Sequence, residues 1–136
     1  MAVTVKALRD GLAVNLKTIP GLRVVPILPE QVNPPLAMIN LDKINYQKSF
    51  HRGLTEYLFK ITLVVGRASE RAAQNSLDQY VASDGTYSVL NALENDRTLG
   101  GVAADSTMVS LDAYGSVVIG ETTYLSAEFS VQVFAL

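Results

Sequence analysis

The sequence predicts an α+β fold, a mostly antiparallel mixed sheet with about three helices packed on one face, and three observations predict it. Apolar residues recur every three or four positions near the N-terminus, two long segments alternate strictly at period two, and the segments run in the order α-β-β-β-α-α-β-β-β. With 136 residues, 49% of them hydrophobic, and no internal repeat or low-complexity linker, residues 1–136 read as a single domain able to hold a real core.

The first element follows from Val5, Leu8, Leu12, Leu16 and Ile19, spaced for a helix with one buried face. Thr4 is its expected N-cap, and Pro20-Gly21 its stop. Leu22–Val25 predicts a short strand, and the segment to Pro35 a Pro-punctuated loop. Leu36–Leu41 is the next strand, after which the pattern lapses and Asp42–Gly53 reads as a basic loop or hairpin tip. Tyr57, Phe59, Ile61, Leu63 and Val65 then alternate with Glu56, Leu58, Lys60, Thr62 and Val64, predicting a central strand. Gly66-Arg67-Ala68 is expected to turn the chain, and Ser69 to cap a helix reaching about Val81 with Ala73, Leu77, Tyr80 and Val81 inward. Ser83-Asp84-Gly85 ends it, a shorter helix from about Thr86 to Glu94 buries Val89, Leu90 and Leu93, and Gly100-Gly101 releases the chain. The last third predicts three strands, Thr107–Tyr114, Ser116–Ile119 and Thr122–Phe134, with Gly120-Glu121 as a two-residue turn of type II′. In the last strand Leu125, Ala127, Phe129, Val131 and Val133 should face the core, and Ser126, Glu128, Ser130 and Gln132 the solvent or a partner.

The absence of cysteine removes disulfides, thiolate chemistry and Cys-rich zinc sites. The longest stretch without a charge, Gln31–Leu41, is far short of the roughly 20 apolar residues a membrane helix needs. Lys6 and Arg9 are followed by no apolar signal region, so the protein is expected to stay in the compartment where it is made. Charge is divided unevenly. Residues 1–71 hold ten basic against five acidic side chains, and residues 72–136 hold Arg97 against eight acids, so the halves carry +5 and -7 of a net -2. Such a split suits a polyanion-binding face or opposite surfaces that meet in an assembly, unless the halves interleave in the fold and the charges mix.

Candidate chemistry is sparse. His51 is the only histidine and would have to serve any Ser-His-Asp triad, yet it lies in a polar stretch with no nucleophile elbow nearby, and a surface or interface role is favoured. Glu94, Asp96, Asp105 and Asp112 lack the spacing of a calcium loop and read as solvated carboxylates. Gly100-Gly101 has no surrounding phosphate-loop pattern. No catalytic residue, cofactor or metal site is expected, and the chain does not read as an enzyme. Lys43, Lys48, His51 and Arg52, with Tyr46 and Phe50 between them, form the best nucleic-acid candidate, since single strands are bound by rings among cations. A pI near 5.3 argues against an independent nucleic-acid binder, and a protein interface accounts for the same residues.

Several stretches taken in order, Ala7-Leu-Arg-Asp-Gly-Leu12, Thr18-Ile-Pro-Gly-Leu-Arg-Val24, Arg52-Gly-Leu-Thr-Glu-Tyr57, Val64-Val-Gly-Arg-Ala-Ser-Glu-Arg-Ala-Ala73, Ala92-Leu-Glu-Asn-Asp-Arg-Thr-Leu-Gly100 and Gly120-Glu-Thr-Thr-Tyr-Leu-Ser-Ala-Glu-Phe129, resemble the tail terminator subunits of long-tailed, siphovirus-type phages, particularly those of actinobacteria. The likeness covers nearly the whole chain and is carried by the combined order, since no single stretch is specific. It implies a homohexameric ring at the head-proximal end of the tail tube that ends tube polymerisation and offers a joining surface. The implied partners are further copies of the chain, the tail tube protein and a head-completion or connector protein. DNA would pass through the ring without sequence-specific binding, and no membrane is involved. The implied location is the virion at the head-tail junction, and the host cytoplasm during assembly. The stretch Lys43–His51 departs from the family pattern in being longer or more basic. The loop to Gly53, through Tyr46, Lys48, Phe50, His51 and Arg52, is the expected contact with another subunit or the tube, and the hairpin at Glu121 the next. Two alternatives stay open: a head-closure or connector protein of the same virion, and, in a different class, a small single-stranded nucleic-acid binding module.

Overall fold

Strand pairing organises the molecule around one five-stranded sheet in the order β1-β2-β3-β5-β4, formed by β1 (Arg23–Val25), β2 (Leu36–Asn45), β3 (Thr55–Arg67), β4 (Asp105–Ile119) and β5 (Thr122–Ala135). Three helices accompany it, α1 (Val5–Leu16), α2 (Arg71–Val81) and α3 (Val89–Glu94), with a 3-10 turn at Leu99–Gly101. This is a computed structural model, and it describes residues 4–25, 35–46, 55–67 and 71–135. β1 pairs with β2 in parallel and every other pairing is antiparallel, so the fold is the expected mixed α+β one.

The core forms where alternation on the strands meets helical spacing. Phe59, Ile61 and Leu63 of β3 stand opposite Val131, Phe129 and Ala127 of β5, and all six are essentially without solvent contact. Leu8, Leu12 and Leu16 of α1 close over them with Leu77 and Tyr80 of α2 and Val89, Ala92 and Leu93 of α3 in the same cluster. α1 packs on β2, α2 on β3 and β5, and α3 on β4, which sets all three helices on one face. Thr4 caps α1 by accepting the Ala7 amide at 3.1 Å, and Ser88 caps α3 by accepting that of Asn91 at 3.1 Å. Val81 and Leu90, expected inside, are half-buried, and Ala92 takes the inward place on α3.

Three expected boundaries are corrected. β2 runs past Leu41 to Asn45, because a bulge at Asp42 absorbs one residue and lets Lys43, Ile44 and Asn45 pair with Leu58, Tyr57 and Glu56. Gly66 and Arg67 do not turn the chain; a second bulge at Val65 lets them pair with Leu125 and Tyr124 as the end of β3. The expected cap Ser69 lies outside the described residues. Finally, Thr107–Tyr114 and Ser116–Ile119 are one strand. Gly115 pairs with Ser126 inside β4, since the long neighbouring β5 supplies an unbroken template. The turn after β4 is as expected: Gly120 has φ 65° and, among the described residues, Leu99 is the only non-glycine with positive φ.

The face of the sheet away from the helices carries a smaller cluster of Leu36, Val64 and Tyr124, with Val25, Met38, Val117 and Ile119 packed against it. Buried Glu56 on the same face accepts hydrogen bonds from Asn45 Nδ2 at 2.6 Å and from Gln132 Nε2.

Polar staples join α1 to the end of α3 and the turn that follows it. Buried Asn15 of α1 donates from Nδ2 to the carbonyl of Leu93, in the last turn of α3, and to that of Asp96 just beyond it. The Asp96 carboxylate accepts from the Thr98 hydroxyl at 2.8 Å and the Gly100 amide at 2.9 Å, and these bonds hold its pKa below the usual carboxylate value. The turn so fastened holds Leu99 at φ 53° with its side chain buried, hard against α1. A Cβ on Gly11 would stand 2.6 Å from Leu99 Cβ and 3.1 Å from its carbonyl oxygen. Gly11→Ala is therefore expected to lose about 1–3 kcal/mol to overpacking, against a gain of up to about 1 kcal/mol in helix propensity. Thermal unfolding should show a melting point several degrees lower, and an unchanged one would show that the turn yields freely.

Candidate functional site

The sheet order answers the question that the uneven charge raised. β1, β2 and β3 come from the basic half and lie together on one side, while β5 and β4 come from the acidic half and lie on the other. Among the described residues the halves do not interleave in the sheet, although α1 packs against α3 and the Leu99 turn in the helical layer. Lys6, Arg9 and Lys17 of α1 and Arg23 of β1 stand at the β1 side. Asp105, Asp112, Glu121 and Glu128 belong to the β4-β5 hairpin. The one cation of residues 72–136, Arg97, is engaged by a bidentate pair to Asp105, with Nε–Oδ1 and Nη2–Oδ2 both at 2.8 Å.

Among the described residues β4 is an edge strand, hydrogen-bonded to β5 alone, and 15 residues long. Its two halves differ. Between Met108 and Ala113 the ladder is broken twice, leaving Val109 and Asp112 without strand partners. Asp112 accepts from Ser110 at 2.5 Å and from Ser130, with Lys60 at 3.5 Å, and these contacts, Ser110 first, lower its pKa. A bulge and an acidic side chain are common means of blunting a sheet edge. From Ala113 to Ile119 the strand pairs regularly with β5 and has neither charge nor proline. Val118 is 65% exposed there, and Tyr114 is partly exposed although its hydroxyl donates to Asp78 of α2 at 2.7 Å. A regular, uncharged, β-branched edge of this kind presents an open row of backbone donors and acceptors to any strand that can lie beside it.

Of the sequence-predicted contact residues, the two that are described, Tyr46 and Glu121, lie toward opposite ends of the sheet. Arg23, Leu36, Val64, Ser126 and Gly115 form one row across the sheet, close to the Gly120-Glu121 turn, and Asn45, Glu56, Phe134 and Asp105 form another near the opposite end. The two rows are separated by eight residues along β3, about 26 Å at strand rise. Tyr46 follows Asn45 at the second end and is 72% exposed, while Lys48, Phe50, His51 and Arg52 lie outside the described residues. Glu121 is exposed at the first end. Sequence reasoning missed the β4 edge, whose only sequence signal is the uncharged run Ala113–Gly120.

Among the described residues, no three or more His, Asp or Glu side chains gather to hold a metal ion, and no helix is long and apolar enough to cross a membrane. The four carboxylates weighed as cation ligands are dispersed: Asp96, Asp105 and Asp112 have the partners given above, and Glu94 lines an open concavity of about 510 Å³ with Thr18, Asn91, Ala92 and Asn95. That concavity brings one carboxylate together with amides and a hydroxyl, with no nucleophile and base in contact. No family model matches the chain, and no curated protein matches it.

Proposed function

We propose that the protein is an assembly subunit that binds copies of itself edge to edge into a closed ring, and that the ring acts as the tail terminator of a long-tailed phage. The observation that carries the assembly reading is the long β4 edge, regular and uncharged from Ala113 to Ile119, on the acidic side of a molecule whose opposite side is basic. Charge favours head-to-tail contact over a two-fold one. Antiparallel pairing of two β4 strands about Ser116 would bring Asp112 of one copy beside the Gly120-Glu121 turn of the other, setting like charges together. A β4 edge meeting the basic side of the next copy is a heterologous contact, which closes into a ring when the rotation per subunit fits.

The phage role rests on the resemblance of several stretches, taken in order over nearly the whole chain, to tail terminators. In that role the ring caps the head-proximal end of the tube, stops its polymerisation, and meets a head-completion protein on its other side, within the virion. The two ends of the sheet, one with Tyr46 and one with Glu121, suit a subunit that must present different surfaces to two partners.

Mass measured in solution across a range of concentrations, alone and with tail tube protein, tests the reading. Six subunits of 14.7 kDa give a species of about 88 kDa. A stable dimer under both conditions, or a monomer under both, would overturn it.

A further inference from the structure

The β1 side of the molecule holds a cleft of about 150 Å³ between α1 and the strands β1 and β2. Its floor is apolar, from Val24, Val25 and Ile39, and its rim carries Arg9, Asp10 and Lys17. Asp10 is occupied by Lys6 at 2.8 Å, one turn away. Arg9 Nε is buried and, among the described residues, finds no hydrogen-bond partner. A buried guanidinium N–H without an acceptor is costly, and in native proteins such a group usually has a partner. Among the described residues the Arg9 Nε–H therefore lacks an acceptor although Asp10 stands on the same rim, and an apolar segment bearing a further carboxylate has the complementary chemistry.

This chain carries such a segment at its other edge. The β4-β5 turn presents Glu121, exposed and, among the described residues, without an ion pair, three residues after exposed Val118 and just past the end of β4. The geometry points to the α1-β1 cleft as the receiving site for the β4-β5 hairpin of a second copy, with the Glu121 carboxylate accepting from Arg9 and Lys17 reinforcing the pair. The inference rests on the ring reading and deepens it, since cleft and hairpin lie at opposite edges of one sheet and each copy can give one and receive one. An Arg-carboxylate pair is also directional, so it fixes the angle between neighbours on which closure depends.

Complementary charge reversal tests this. Subunits carrying Arg9→Glu keep the hairpin and lose the cleft; those carrying Glu121→Arg keep the cleft and lose the hairpin. Each alone is expected to need at least ten-fold more protein than the parent to assemble, as read by mass in solution, with the tube protein present if the parent requires it. An equal mixture should assemble, because in an alternating ring every contact again pairs opposite charges. Glu121 lies in an exposed turn, so its variant keeps the fold, and if Arg9→Glu unfolds, Lys17→Glu on the exposed side of α1 replaces it. Assembly of Glu121→Arg at parental concentration, or a mixture that stays dissociated while both variants are folded, overturns the cleft assignment and leaves the ring reading standing. A parent that never assembles, alone or with tube protein, overturns both.

Discussion

Phe129→Ala is expected to cost about 3–5 kcal/mol of stability, a large share of what a domain of this size has. The ring stands between Ile61 of β3 and Leu111 of β4, on the face closed by the helices, and is 1% exposed. Its removal leaves a void at the centre of the sheet, where paired strands on both sides limit collapse. Thermal or denaturant unfolding of the variant should show a melting point lower by about ten degrees or more. A melting point within a degree or two of the parent would mean that β5 is out of register by one residue, with Phe129 on the other face.

The second large effect is expected at the β4 edge and should spare the fold. Val118→Lys places a charge on the regular half of an exposed edge strand, the device by which proteins protect such edges from pairing. The stability of the isolated subunit should change by no more than about 0.5 kcal/mol, as for exposed substitutions generally. Assembly, followed by mass in solution, should be lost over the range in which the parent assembles. Val109→Lys, 59% exposed but at a bulge where the ladder is already broken, is the internal comparison and should weaken assembly far less. Equal effects of the two changes would show that exposed apolar area, and not strand pairing, drives association.

What the residues disclosed in advance depended on how many neighbours each strand has. β3 and β5 lie between other strands and carry the helices on one face, so Phe59 through Val65 and Ala127 through Val133 had to alternate, and their inward positions were legible. Asp42 to Asn45 lies beyond the three-residue reach of β1, and the bulge at Asp42 reverses the phase of alternation, so that stretch read as a loop. Gly115 looked like a break because glycine is a poor strand former, yet pairing along β5 outweighs a local preference of about 1 kcal/mol. Val64, which by parity stands opposite the main core, builds the small cluster on the other face with Leu36 and Tyr124. At the candidate site, charge and composition were visible in the sequence. That β4 is an edge was not, since strand order is a property of the whole chain and no window of residues contains it.

The separation of the two halves across β3 also makes each subunit an electric dipole lying across the strands, basic toward β1 and acidic toward β4. In the proposed ring, a subunit drifting toward the open end of a growing arc would feel a torque that turns its opposite edge to face the free one before contact, so encounters would be oriented, most strongly at low ionic strength. Dipoles placed head to tail around a closed circle have a vector sum of zero, whereas an incomplete arc retains a resultant. Closure would therefore remove the very field that recruits the next subunit, giving the assembly a physical reason to stop.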